Sequence, residues 1–172
     1  HNTLVGLNLR QRIKLGAAGK VISSFDIARL MALGADWCNA ARGFMFALGC
    51  IQAQACHTGH CPTGVTTQDP QRMKALVVQT KAERVWRFHG QTLDALKEMV
   101  QAAGLKHPNE ITARHIVRRT GEQEVKLLIN LLPFVKPGSL LAAMHGEADW
   151  PHNVYRVYWP QSSSQTWQLQ AA

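Results

Sequence analysis

The sequence predicts an α/β fold, and three observations carry the prediction. Two short strand candidates, 12–15 and 35–40, each run into a glycine-bearing turn and then a helix with apolar residues on one side. A cysteine- and glycine-rich segment, CIQAQACHTGHCPTGVTTQDP, follows them and has neither helical nor strand periodicity. From Pro70 onward the composition turns helical and basic.

The elements follow in order. Arg12 to Leu15 is a strand candidate that ends at Gly16-Ala17-Ala18-Gly19. Ser23 or Ser24 then caps a helix through Leu33, with Phe25, Ile27, Ala28, Leu30 and Met31 on its apolar side and Gly34 closing it. Ala35 to Ala40 is the next strand candidate, and Arg42-Gly43 leads into a helix from Phe44 to about Gln54. The pattern is βαβα. Pro70 suits the first turn of a helix started by Asp69, and Arg72 to Ala103 continues in helical register. Leu76, Val77, Val85, Trp86, Phe88, Leu93 and Leu96 fall on its expected buried stripe, as do His89 and Met99, and Gly104 ends it. Further helices are expected from about Asn109 to Arg119 and from Glu122 to Leu132, before Pro133 and the Pro137-Gly138 turn. The last stretch places Trp150, Tyr155, Tyr158, Trp159 and Trp167 among polar positions and reads as an arm, with a short strand at Tyr155 to Trp159. The expected organisation is therefore 1–69, 70–143 and 144–172.

The chemistry concentrates in the cysteine segment. Cys50, Cys56 and Cys61 stand six and five positions apart, and Pro62 follows the last of them. Three thiolates suffice for a [3Fe-4S] cluster, which has one per iron, and the proline prevents a helix from straightening the loop. Zinc is the competing metal, because His57 and His60 interleave with Cys56 and Cys61. Neighbouring residues make poor ligands for one ion, and the histidines read more simply as loop residues or donors to cluster sulfur. Cys38, in DWCNAARG, reads as core packing. Four cysteines without a secretory signal suit a reducing cytoplasm, and no apolar run of membrane-spanning length occurs.

The run GKVISSFDIARLMALGADWCNAARGFMFALGC followed by CPTGVTTQDP resembles the FMN-binding synthase domain of the glutamate synthase family. The resemblance extends over roughly residues 1 to 145 by motif order. It implies a (β/α)8 TIM barrel, FMN beside a [3Fe-4S] cluster, and reduction of 2-iminoglutarate, made from 2-oxoglutarate and ammonia, to L-glutamate. Cys50, Cys56 and Cys61 match the cluster ligands. The segments holding Gly16, Gly19 and Lys20 and then Ala41, Arg42 and Gly43 match the flavin-phosphate region. In barrels, the turns after the last two strands form the usual phosphate site, because free backbone N–H groups and a helix dipole face the anion. A complete barrel takes about 250 residues, so a chain of 172 that opens on His1 is expected to be the last strands and helices of such a barrel with a helical extension. The expected partners are the remainder of the barrel or another subunit, and an electron donor such as ferredoxin or a reductase subunit; association is expected. A non-catalytic assembly module that completes a barrel with another chain is the alternative.

Net charge is +8, from 19 Lys and Arg against 11 Asp and Glu. The cations are spread along the helical region without a helix-turn-helix, an RNA-stacking motif or a lysine run, which argues against nucleic acid. A solvated basic face, or attraction for an acidic partner, accounts for them.

Overall fold

A computed structural model describes residues 1–163 and 165. It is a mixed α/β chain with two small sheets, and it divides into two compact units. One comprises residues 16–115; the other joins residues 1–15 to the chain from 116 onward.

The 16–115 unit begins with β1 (Gly16–Ala18), α2 (Ser24–Ala32), β2 (Trp37–Asn39) and α3 (Arg42–Leu48). β1 and β2 are parallel neighbours, with Gly16 opposite Trp37 and Ala18 opposite Asn39. The first strand lies later than expected: Arg10–Arg12 is a 3-10 turn and the strand is the Gly-Ala-Ala run itself. The packing explains this, because a Cβ on Gly16 would sit 2.6 Å from the Trp37 indole, so a small residue must stand there.

Ser23 caps α2 as expected, in a full capping box. Its hydroxyl accepts from the Asp26 N–H at 3.3 Å while the Asp26 carboxylate accepts from the Ser23 N–H at 2.9 Å. α3 is shorter than expected. It stops at Leu48 because Gly49 turns left-handed, φ 106°, and the Cys50 N–H closes on the Met45 carbonyl at 2.9 Å.

The long helical region is broken. Asp69 caps α4 (Pro70–Met73), accepting from the Gln71 N–H at 2.8 Å, and after a turn α5 runs from Val78 to Ala102. Phe88 meets Phe44 of α3 edge-on at 5.3 Å between centroids, and Leu96 and Val100 are buried. Trp86 and His89 are not core residues: both are exposed, Trp86 by 74%. Val77 and Leu93, expected on the same stripe, are exposed as well, and the inward side consists of half-buried Val85, Phe88 and Thr92 with buried Leu96 and Val100. Gly104, φ 72°, ends the helical stretch where expected.

The second unit opens with α1 (Asn2–Gly6) and contains α7 (Ser139–Met144) packed on it. Leu140 is fully buried, and a Cβ on Gly6 would meet its Cγ at 2.5 Å, so the two helices approach through the glycine. The helices expected at 109–119 and 122–132 are replaced by β3 (Val117–Arg119) and β4 (Val125–Leu127), an antiparallel pair followed by α6 (Leu128–Leu131). β-branched Val117 and Val125 flank a Thr120-Gly121 turn, and that local preference outweighs the approximate helical spacing. The strand expected at Tyr155–Trp159 is instead α8 (Asn153–Tyr158), capped by the His152 ring nitrogen, which accepts from the Val154 N–H at 3.2 Å. Trp167 lies outside the described residues. Among the described residues no helix is long and apolar enough to cross a membrane.

Candidate functional site

Parallel pairing puts the C-terminal ends of β1 and β2 at one edge, so the turns that leave them are neighbours. Gly19, φ 113°, and Lys20, φ 55°, form the first turn. Left-handed backbone at a lysine is uncommon and concentrates at functional sites. A Cβ on Gly19 would meet nothing within 4 Å, so its backbone faces open space. Ala41, Arg42 and Gly43 start α3, with unpaired N–H groups of the first turn.

The six residues matched to the flavin region do not share one role. Gly16 lies in the strand beneath Trp37, away from the turn. Gly43 is buried, and its missing side chain serves packing: a Cβ there would stand 2.8 Å from Phe88 Cζ and 3.3 Å from the Ile22 carbonyl oxygen. That second distance also places the chain leaving the first turn against the start of α3. Gly19, Lys20, Ala41 and Arg42 remain at the mouth.

Beyond α3 the chain folds back through the cysteine loop. Gln52 and Gln54 take left-handed backbone, φ 57° and 56°, which turns the loop around itself. The Thr67 hydroxyl donates to the Gly59 carbonyl, and Arg72 Nη1 donates to the His60 carbonyl at 3.3 Å, tying the loop to α4. Cys50, Cys56 and Cys61 all line one small hollow floored by Met45, Pro62, Thr63 and Thr66. Cys38 is elsewhere: its thiol donates toward the Ile27 carbonyl at 4.0 Å, and burial raises its pKa.

The three thiols differ in their surroundings. The Cys61 pKa is lowered to about 6, first by the Thr63 hydroxyl at 3.4 Å and then by the Thr66 and Thr63 backbone N–H groups. Cys50 sulfur accepts from the Gln52 N–H at 3.4 Å. Thr66 Oγ1 is buried in the wall of the hollow without a hydrogen-bond partner in good geometry, so its contribution to Cys61 is the least of these, and it is free to donate to an occupant's sulfur. The free space is about 10 Å³, room for one water and too little for a cluster as the loop stands, and Cys56 is exposed at its edge. Among the described residues no three His, Cys, Asp or Glu side chains are grouped closely enough to hold a metal ion as they stand, the three cysteines included.

A second hollow, of about 360 Å³, joins the two regions. Ala41 and Arg42 form one wall; Cys50, Gln52, Gln54 and Cys56 form the other. Sequence reasoning found both walls but not the third cavity of this unit. That cavity, about 380 Å³, lies between α2, β2 and α5 and is lined by apolar side chains with Cys38, Thr92 and His89 among them. Its residues are dispersed over 21–109, and no local motif marks them.

The strand-end turns and the cysteine loop thus lie within one unit of a mixed α/β chain. Residues 1–106 match the family model described as a conserved region in glutamate synthase. The glutamate synthase large subunit-like protein YerD of Bacillus subtilis is 40% identical over 124 residues, covering 72% of this chain and 24% of that protein. The archaeal glutamate synthase [NADPH] of Methanocaldococcus jannaschii is 33% identical over 120 residues, 69% of this chain and 24% of that protein. The glutamate synthase [NADH] of Schizosaccharomyces pombe is 29% identical over 160 residues, 90% of this chain but 8% of that protein. The chain belongs to the glutamate synthase family, and it spans a quarter or less of the length of these relatives.

Proposed function

We propose that the chain forms the cofactor-bearing end of a glutamate synthase-type oxidoreductase that reduces 2-iminoglutarate, from 2-oxoglutarate and ammonia, to L-glutamate. Gly19, Lys20, Ala41 and Arg42 would hold the phosphate of FMN, and Cys50, Cys56 and Cys61 a [3Fe-4S] cluster. When bound, the two groups supply electron storage and delivery to the imine. The protein's own contribution is positional: α3 carries the phosphate-facing turn at its start and leads into Cys50 at its end. The 360 Å³ hollow with Arg42 on one wall and Cys50 and Cys56 on the other carries this reading, because it sets the two proposed sites side by side. β1-α2-β2-α3 would be two consecutive units of a (β/α)8 barrel, whose remaining strands the rest of the synthase or another subunit supplies. Four free thiols suit a cytoplasmic setting.

Anaerobic preparation with iron, sulfide and FMN tests the assignment. About three irons per chain with a low-temperature EPR signal, and flavin retained above its free-solution level, are expected. Stoichiometric zinc without iron would overturn the cluster, and flavin binding indifferent to Arg42→Ala would overturn the phosphate site. The β1–β2 pair also favours a second reading, a module that completes a barrel with another chain. Such a chain would bind a polypeptide bearing the other strands yet lack both cofactors.

A further inference from the structure

Four threonines stand in the cysteine loop, and three of them serve its fold or its thiols. Thr58 Oγ1 donates to the Ala55 carbonyl at 2.9 Å and accepts from the His60 N–H at 3.1 Å. Thr67 Oγ1 donates to the Gly59 carbonyl and accepts from the Asp69 N–H at 3.1 Å, tying the loop to the start of α4. Thr63 Oγ1 stands 3.4 Å from Cys61 Sγ. Thr66 differs. Among the described residues that are not exposed, its hydroxyl is the one inaccessible side-chain polar group without a hydrogen-bond partner in good geometry. Cys61 sulfur gains less from it than from the Thr63 hydroxyl or from either backbone N–H.

The hydroxyl lines the same hollow as Cys50, Cys56 and Cys61, in a wall that is otherwise largely apolar, with Met45, Ile51, Pro62 and Val65 around it. The backbone fixes it there. Gly64, two residues earlier, is left-handed at φ 76° and lies so close to the Arg72 carbonyl oxygen that a Cβ would overlap it, which presses this stretch onto α4. An unpartnered hydroxyl in such a wall costs stability, and valine would fill the same space without that cost. The fold alone therefore gives no reason for a threonine at this position.

We propose that Thr66 sets the redox poise of the cysteine site, its hydroxyl donating to a sulfur held between Cys50, Cys56 and Cys61 and thereby favouring the reduced form. This rests on the reading of the three cysteines as ligands of an iron-sulfur cluster. A donor aimed at cluster sulfur stabilises the negative charge added on reduction, so it raises the potential, and its removal makes uptake of one electron harder.

The test uses the full chain prepared anaerobically, with iron and sulfide and without either, as wild type, Thr66→Val, Thr66→Ala and Thr66→Ser. Titrating the loaded forms with dithionite through mediator dyes, followed by low-temperature EPR, reads the one-electron equilibrium. Thr66→Val should keep the wild-type iron content yet be about tenfold harder to reduce, a fall of about 59 mV. Thr66→Ala, which also lacks the donor, should fall by a similar amount, so the shift does not depend on how one side chain fits. Thr66→Ser should restore most of the potential. In the metal-free forms Thr66→Val should melt about 2 °C or more above wild type, because an unpartnered hydroxyl has been replaced by a methyl group of the same shape. Unchanged potentials in iron-loaded Thr66→Val and Thr66→Ala would overturn the assignment of Thr66 and leave the cluster standing, whereas a wild-type chain that takes up no iron would overturn both. A metal-free Thr66→Val chain that melts below wild type would show that the hydroxyl serves the fold, as the partner of a water in the hollow, and would overturn the assignment of Thr66.

Discussion

Ser23 and Asp26 satisfy each other's backbone at the start of α2, and the helix positions the chain between the two proposed phosphate turns. Removing either side chain leaves donors of the first turn unpaired. Ser23→Ala should lower stability by about 1 kcal/mol in denaturant unfolding. The pH dependence has a definite sign. Hydrogen bonds from the Ser23 N–H first, and also from the Ser23 hydroxyl and Ile22 N–H, hold the Asp26 carboxyl below its ordinary range despite some opposing burial. A depressed folded pKa contributes stability above the ordinary carboxylate value and loses it as pH falls through the lower folded value. The gap between wild type and Asp26→Asn should therefore close on acidification below about pH 4; a constant gap from pH 7 to pH 2 would exclude this role. Cys50→Ser should cost the bound iron while Cys38→Ser retains it, because only the former lines the thiolate hollow. Iron analysis of the two variants decides. At this scale the sequence was informative: the serine cap, the Asp69-Pro70 start and the three-cysteine loop are local patterns, and each is set by a few adjacent residues. Thr66 was not legible, because its buried, unpartnered hydroxyl exists only once the loop has folded back.

At the scale of elements, the misplacements share a physical cause. The first strand was displaced because glycine and alanine suit a position under the Trp37 ring, a tertiary requirement that outweighs intrinsic strand preference. α3 ended early at a glycine whose left-handed cap was visible in the sequence as Leu-Gly-Cys but was overridden by apolar spacing on both sides. The 117–127 hairpin was missed because valine and leucine at loose helical intervals also fit alternation. Two glycines in helices separate packing from propensity. Gly43 touches Phe88, so Gly43→Ala must displace the ring or move α3 off α5 and should destabilise by about 1–3 kcal/mol. Gly90, in α5, has open space where a Cβ would go, so Gly90→Ala should stabilise by about 0.5–1 kcal/mol. Thermal melts of both variants check the pair, and the same sign in both would show that helix propensity, not the α3–α5 contact, governs this surface.

At the scale of the whole molecule, the distribution of apolar surface is the governing fact. Parallel sheets are normally covered on both faces, yet β1 and β2 form a pair of three-residue strands with no further strand beside them among the described residues. On α5, Val78 and Trp86 are 70% and 74% exposed, and Trp37 on β2 is 48% exposed. Two strands alone bury too little to stand in water, and an exposed edge invites another chain. We therefore expect sedimentation at micromolar concentration to report an oligomer or a complex with a second polypeptide. Trp86→Glu separates the two contributors. It removes apolar surface that packs on little within its own unit, so the melting temperature should move by no more than a surface substitution allows, about 0.5 kcal/mol in stability. If the α5 stripe drives association, the variant sediments closer to a monomer; if the strand edges drive it, the oligomer persists. A wild-type chain that stays monomeric and melts cooperatively would refute both, and would mean that the core around Leu96, Val100 and Met31 suffices to hold the 16–115 unit without help from other strands.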